Sequence, residues 1–516
     1  MKRLTWILLL AISAITASAQ ALVTINGKDI SKQEFLYYYQ KNNAGQAQDI
    51  SRNDYLEMFI DFKLKVEEAY SLQYDTVQSL HEELNGYRNQ LIPPYLTDST
   101  KINELVEEAY QFLLEDIETS HILFVANSPQ EAEEALEKAK KARKKLKKSN
   151  FAQVATEISE DPSAKANQGY LGWTTGGYLV YPFEKAAYNL KKGKISQPIR
   201  SNFGYHLILL HNRRPAKGEI RVAHIFKRKP QQADSAQLAL IQEEVYNIYQ
   251  QLQEGANFAD LARKYSEDSN AAQGGELPWI AVGNTTPEFE QVAFELDAEK
   301  RLSEPVEADY GWHIIYLLEK RPIRPIDTYK EQLINRIKMD ERRSMVTQSF
   351  IDKLKKEYQF KTGKNDTIAT FANQVITQQA FDSITQSPAT AHLTKDGYIN
   401  MRILQYENQQ LETKYPEFGM LMKEYQEGIL LFNICNDLIW NKAGKDTEGL
   451  QSYFEANRSE YPADYTYKKG PVINDYQVFL EKQWVQQLRE KYTVTIHHEV
   501  LNSIPWVLYN VCRYSY

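Results

Sequence analysis

Cysteine is almost missing from this chain. Two occur in 516 residues, Cys435 and Cys512, so at most one intramolecular disulfide is possible, and no framework of bridges or cysteine-rich metal site can be built. Cys435 lies in the apolar stretch 428–440 and reads as a small core residue. A basic excess is missing too. Lys and Arg number 61 against 68 Asp and Glu, a net charge of −7, so no nucleic acid partner is expected. Glycine and proline, 22 and 18 residues, are too few for a low-complexity or collagen-like chain. Past the N-terminus no apolar run approaches the roughly 20 residues of a membrane span, and no stable membrane insertion is expected. No G-x-S-x-G step marks a hydrolase nucleophile.

What is present begins with Lys2-Arg3, an apolar run from Leu4 to Ile15 and the small residues Ala17-Ser18-Ala19. This order reads as a secretory signal peptide over 1–19, which places the mature chain in the periplasm as a soluble protein. The length that follows is enough for several domains.

An internal repeat dominates the middle of the chain. Ser120-His121-Ile122-Leu123 matches Ala223-His224-Ile225-Phe226, and Asn150-Phe151-Ala152 through Ser159-Glu160-Asp161 matches Asn257-Phe258-Ala259 through Ser266-Glu267-Asp268. Gly169-Tyr170-Leu171-Gly172-Trp173 matches Gly275-Glu276-Leu277-Pro278-Trp279, and Phe203-Gly204-Tyr205-His206 matches Tyr310-Gly311-Trp312-His313. Asp161 precedes His206 by 45 residues, and Asp268 precedes His313 by the same interval. Each copy reads as strand, long helix, short helices, strand, helix, strand, strand, an α+β module with a small, mainly antiparallel sheet. In the run 138–148 eight of eleven residues are Lys or Arg. They follow Glu131, Glu133, Glu134 and Glu137, which is the order a solvated helix takes along its dipole.

Each copy therefore offers two histidines on strands and one aspartate. Two His and one Asp are compositionally adequate for a metal, but neither a metal site nor a hydrolase explains the recurring Trp173, Phe183 and Phe203 or Trp279, Phe289 and Tyr310. An apolar pocket floored by a hydrogen-bonded His pair accounts for all of them.

At these residues the sequence resembles the parvulin (PpiC, rotamase) family of peptidyl-prolyl cis/trans isomerases. The strand His, the F-A-x-(L/V)-A-x-x-(Y/I)-S-x-D helix, the Gly-Leu-Trp turn and the aromatic-Gly-aromatic-His strand appear in order. Two such modules behind a signal peptide look like the SurA-type periplasmic chaperones. The resemblance implies His121, Asp161 and His206 as the polar catalytic set of the first module, and His224, Asp268 and His313 as that of the second. It implies Leu171, Leu179, Phe183, Ser201 and Phe203 as substrate-binding in the first, and Leu277, Phe289 and Tyr310 in the second, with Ala308 in the place of Ser201. No metal and no cofactor are implied. The second module departs from the family at Thr285, where a Met or Leu is usual, and at Pro278. The first has Tyr181-Pro182-Phe183 for the usual Pro-Glu-Phe.

The expected division is a signal peptide (1–19), an N-terminal helical chaperone-like segment (20–116), parvulin modules at 117–215 and 218–323, and a mainly helical C-terminal region (324–516). In the N-terminal part a strand-like Leu22–Ile25 and a turn at Asn26-Gly27 lead into helices. Tyr329–Tyr358 reads as one long amphipathic helix, and Thr367–Gln386 as a strand pair or a loose connector. Expected partners are unfolded or partly folded exported proteins with X-Pro bonds, outer-membrane proteins among them. The competing expectation is a holdase whose modules bind clients with little isomerase activity.

Overall fold

The computed structural model describes residues 20–43, 50–230, 232–462 and 469–504. The expected signal peptide and Cys512 lie outside the described residues. The rest divides into two compact units. Thr97–Lys353 forms one, and the described residues up to Leu96 join those from Leu354 onward in the other. The architecture is α+β, helices with small antiparallel sheets.

The unit Thr97–Lys353 holds the same four-stranded sheet twice. In the first copy the order is Tyr170–Thr174, Glu115–Val125, Gly204–Pro215, Ile199–Ser201, and in the second Ile280–Ala281, Glu219–Arg228, Gly311–Arg321, Val306–Ala308. The two histidine-bearing strands are thus central neighbours in each copy. His121 lies opposite Ile208 and His206 opposite Leu123, a diagonal pair two residues apart on one face and within side-chain reach. The second copy repeats this, with His224 opposite Ile315 and His313 opposite Phe226.

Strand alternation then sorts the first sheet into two layers. Ile122, Phe124, Leu207 and Leu209 pack beneath the helices Pro129–Lys145 and Phe151–Ile158. Ile117, Ile208 and Leu210 pack on the other side with Phe183, Ala187 and Tyr188 of the helix Tyr181–Asn189. Helix Pro129–Lys145 starts where the Ser128 hydroxyl accepts the Glu131 N–H, carries Pro129 in its first turn and ends in Arg143, Lys144 and Lys145. It buries only Ala135 and Ala139, so its lysines are the solvated face the sequence implied.

A glycine locks each histidine strand in place. The His121 N–H donates to Gly169 O at 2.8 Å, and the His224 N–H to Gly275 O at 2.8 Å. Both glycines have φ near +80°, and a Cβ would lie 2.4 Å from His121 O at Gly169 and 2.3 Å from His224 O at Gly275. Gly169→Ala is therefore expected to destabilise the chain by about 1–3 kcal/mol through backbone strain and displacement of that strand. A fall in the urea midpoint, with an equal fall for Gly275→Ala, checks it.

The long helix expected over Tyr329–Tyr358 is corrected to two, Lys330–Met339 and Arg342–Glu357. Asp340 leaves the helical region at φ −110°, ψ −170°. Its carboxylate accepts the Arg342 N–H at 2.9 Å and holds the Arg342 guanidinium, so the side chain replaces the backbone bonds that the break removes.

In the other unit, Asn26 and Gly27 both take positive φ, the turn that joins Ala21–Ile25 to Lys28–Ser31 as a hairpin. A third strand, Val494–Ile496, pairs with Ala21–Ile25 from the far end of the chain, Val23 opposite Ile496. Beneath this sheet Leu22, Phe35, Phe59, Ile60 and Leu64 form a core with Leu488 and Tyr492. Thr367–Phe371 and Gln374–Thr377 form a hairpin followed by the helix Gln378–Thr385, which resolves the segment the pattern left open. Cys435 is buried with Ala69, Leu430 and Ile434, and burial pushes its thiol up to about 11. Among the described residues no helix is long and apolar enough to cross a membrane.

Candidate functional site

In the first module four polar side chains form one chain of contacts under an aromatic ring. Ser201 Oγ lies 2.7 Å from His206 Nε2, His206 Nδ1 lies 3.4 Å from His121 Nδ1, and His121 Nε2 lies 2.7 Å from Asp161 Oδ2. Ser201, His206 and His121 are all buried. Phe183 meets both imidazoles edge-on, with centroids 5.8 Å from His121 and 5.5 Å from His206.

The charges fix the direction of every hydrogen bond. Burial alone pushes Asp161 up, but hydrogen bonds from Ser163 and His121 more than offset it and hold the carboxylate below the ordinary range. An ionised Asp161 only accepts, so His121 Nε2 carries the proton. Burial lowers His121 despite Asp161, and burial together with the neighbouring His121 lowers His206 to about 4. Both rings are therefore neutral. His121 Nδ1 then accepts from His206 Nδ1–H, and His206 Nε2 accepts from the Ser201 hydroxyl. Tautomers are assigned here by the network. The result is a rigid, uncharged floor with one carboxylate at its end.

The second module repeats the geometry with two losses. His224 Nδ1 and His313 Nδ1 are 3.2 Å apart, and Phe289 stands edge-on to both rings. Ala308, however, offers no hydroxyl to His313. His224 Nε2 is 3.1 Å from Asp268 Oδ2 but is not aligned for a hydrogen bond. Phe226 packs against His313 at 4.9 Å instead. Burial lowers His224, and burial with His224 lowers His313 to about 4.

Leu171 and Leu179 are partly buried beside the cluster that contains Phe183, and Leu277 lies likewise beside Phe289. Phe203 and Tyr310 are 58% and 68% exposed. The Phe203 N–H donates to Ser201 Oγ at 3.2 Å, so Phe203 reaches the network through its backbone. Among the described residues no group of three or more His, Cys, Asp or Glu is arranged to hold a metal.

Sequence reasoning passed over two carboxylates. Glu184 accepts the Leu179 N–H at 2.9 Å, and Glu290 accepts the N–H groups of Gly283 and Thr285 at 2.8 and 2.9 Å. Each holds the loop before its helix through backbone N–H groups, and burial raises both. The signal was in the repeat: Phe183-Glu184 and Phe289-Glu290 are matching steps.

Four histidines with lowered pKa values, His121, His206 and His224 buried and His313 half-buried, carry a stability consequence. Each is neutral when folded and titrates at about 6.5 when unfolded. The stability that His206 and His313 lend is complete above about pH 6.5 and is lost as pH falls towards their folded values of about 4, and His121 and His224, also lowered by burial, act in the same direction. The melting temperature is expected to fall steadily across that window in calorimetry. A flat profile there contradicts the neutral assignment.

Residues 121–212 and 224–319 match the family model described as Rotamase, the PPIC-type PPIASE domain. A "Chaperone SurA" of Methylobacillus flagellatus is 34% identical over 239 residues, 45% of this chain and 52% of the relative. A "Chaperone SurA" of Aromatoleum aromaticum is 31% identical over 265 residues, 48% of this chain and 58% of the relative. The chain thus spans about half the length of the curated relatives it matches. A crystal structure of a PpiC-type peptidyl-prolyl cis-trans isomerase domain matches at 33% identity over 20% of this chain and 94% of that chain, with TM-score 0.19. The chain carries two tandem PPIC-type domains.

Proposed function

We propose that this chain, whose two modules are peptidyl-prolyl isomerase domains of the PPIC type, is an exported folding factor that turns X-Pro bonds in unfolded secreted or outer-membrane proteins. Its modules occupy 117–215 and 218–323, between chaperone-like segments, and its workplace is the periplasm. The observation that carries this reading is the neutral Ser201–His206–His121–Asp161 chain beneath Phe183, with Leu171 and Leu179 beside it.

Rotation about an X-Pro bond faces a barrier of about 20 kcal/mol and takes tens of seconds unaided. No covalent bond to the substrate is required. In the twisted amide the nitrogen no longer shares its lone pair with the carbonyl, so the group is less polar than the planar one. A cup that grips the prolyl ring with Leu171, Leu179 and Phe183 and surrounds the amide with low polarity stabilises that midpoint over either planar end. His121 and His206 hold the floor in one shape, and Asp161 fixes the tautomer of His121. His224 and His313, with Leu277 and Phe289, take the corresponding roles in the second module, where Asp268 faces His224 as a nearby charge without an aligned hydrogen bond.

A holdase reading is favoured for the second module by Thr285 and Ala308, which make its cup more polar and its floor less tied. Cis-to-trans kinetics of a short X-Pro peptide with the whole mature chain test the enzyme reading, and no acceleration overturns it. Failure to suppress aggregation of an unfolded outer-membrane barrel counts against the chaperone reading.

A further inference from the structure

The two modules touch along a seam. Thr175 N–H donates to Val282 O at 3.1 Å, and Trp173 of the first module packs against the core of the second. Beside this seam lies a cleft of about 360 Å³ whose lining includes Leu171 and Trp173 from one side and Thr285 and Phe294 from the other, with Arg214 and Lys217. Leu171 belongs to the first prolyl cup, and Thr285 stands at the corresponding pocket position of the second. A polypeptide leaving either cup along this wall therefore enters the space the other cup shares.

The polar groups of the cleft are unevenly matched. The Arg214 guanidinium is held by Asp116 at 3.2 Å and lies 4.0 Å over the Trp173 ring. Lys217 differs. Its ammonium sits 5.6 Å from the Phe294 ring centroid, and among the described residues it pairs with no carboxylate at salt-bridge distance. Burial, followed by the nearby Arg214, presses its pKa below the ordinary lysine value, while Glu295, Asp116 and Lys320 act more weakly. Thr285 Oγ1 is buried with no hydrogen-bond partner. The cleft thus combines aromatic walls that suit an extended chain with an ammonium that feels Glu295 and Asp116 but has no carboxylate at salt-bridge distance, in a lining that also holds Glu290.

We infer that the client segment flanking the prolyl bond runs through this inter-module cleft, and that Lys217 selects an acidic side chain within it. The inference rests on the reading of the cups as prolyl-binding sites and adds a substrate preference to it. A carboxylate brought to Lys217 meets a partly desolvated cation, where attraction is stronger than at an open surface.

The test uses the whole mature chain and fluorescence anisotropy. Labelled peptides carry one X-Pro bond and a Glu, Gln or Lys placed at successive positions on either side of it. The unchanged protein is expected to bind the best-placed Glu peptide about fivefold more tightly than its Lys counterpart, and added salt is expected to shrink the ratio. Lys217→Arg retains the preference, Lys217→Gln removes it and Lys217→Glu reverses it. Equal affinity for the three peptides at every position overturns the inference, as does a preference that survives Lys217→Gln. Prolyl kinetics on the same preparation keep the two readings apart. A chain that discriminates by charge but does not accelerate rotation loses the enzyme reading and keeps the cleft; one that accelerates rotation without discriminating loses the cleft.

Discussion

Replacing Leu179 by Thr is expected to lower the first module's contribution to X-Pro rotation about tenfold, and Thr285→Leu is expected to raise that of the second by a similar factor. The two side chains occupy corresponding positions in the repeat, and each is held by its own glutamate, Glu184 or Glu290. What differs is the grip. Burying a leucine against a prolyl ring in place of a threonine is worth about 1.5 kcal/mol of apolar contact, close to a factor of ten in rate if the contact tightens in the twisted state. Thr285 carries a further penalty, because its Oγ1 is buried without a partner. Thr285→Leu removes that unsatisfied group and is expected to raise the urea midpoint as well. Adding Ala308→Ser gives His313 the hydroxyl that Ser201 gives His206. The measurement is the cis-to-trans rate of an X-Pro peptide with the whole chain, each variant taken singly and then together. A Leu179→Thr chain that keeps the full rate removes the first cup as the site.

Loss of Lys63 is expected to be the most damaging single change in the other unit, about 3–5 kcal/mol. The Lys63 ammonium bonds Glu34 and Glu427, and all three side chains are nearly excluded from water, at 4% and 5% exposure. Tyr38 donates its hydroxyl to Glu427 at 2.8 Å, and Lys423 reaches Glu34 at 2.6 Å. The cluster ties the helices Lys32–Asn43 and Arg52–Ser71 to Pro416–Cys435. Lys63→Ala leaves Glu427 buried with the Tyr38 phenol and with the Lys423 ammonium 3.9 Å away. The double variant Lys63→Met, Glu427→Leu removes both charges, and it is expected to recover much of the loss. Burial alone pushes Glu34 up, but Lys63 and Lys423 more than offset it and hold the carboxyl below its usual value. Its stabilisation is therefore complete above the ordinary carboxylate range and is lost as pH falls through the lower folded value. Urea midpoints at neutral and acidic pH, compared between the unchanged chain and Lys63→Ala, check both the size and the sign. Equal midpoints for the two proteins at neutral pH contradict it.

The modules were legible because their chemistry recurs in register. A histidine on a strand, an aspartate at a fixed later interval and a second histidine behind an aromatic-Gly-aromatic step need no partner outside the repeat to be noticed. Glu184 and Glu290 recur just as faithfully, yet a glutamate after a phenylalanine looks like helix surface until backbone N–H groups are seen converging on it. The break at Asp340 was hidden for a related reason. Apolar periodicity runs through it, and only the turn of the aspartate onto Arg342 shows that one helix has become two.

Local order in the sequence determined the two modules, their tandem arrangement, the four strand histidines and the Asn26-Gly27 turn, since each arises from residues near one another or from a repeated spacing. Tertiary structure alone decided that Val494–Ile496 completes the sheet begun by Ala21–Ile25, that Lys63 meets Glu427, and that Leu171 and Thr285 share one cleft. Those contacts join segments that no periodicity links. Which distant strand pairs with which, and which buried charge finds which partner, is settled by the packing of whole faces.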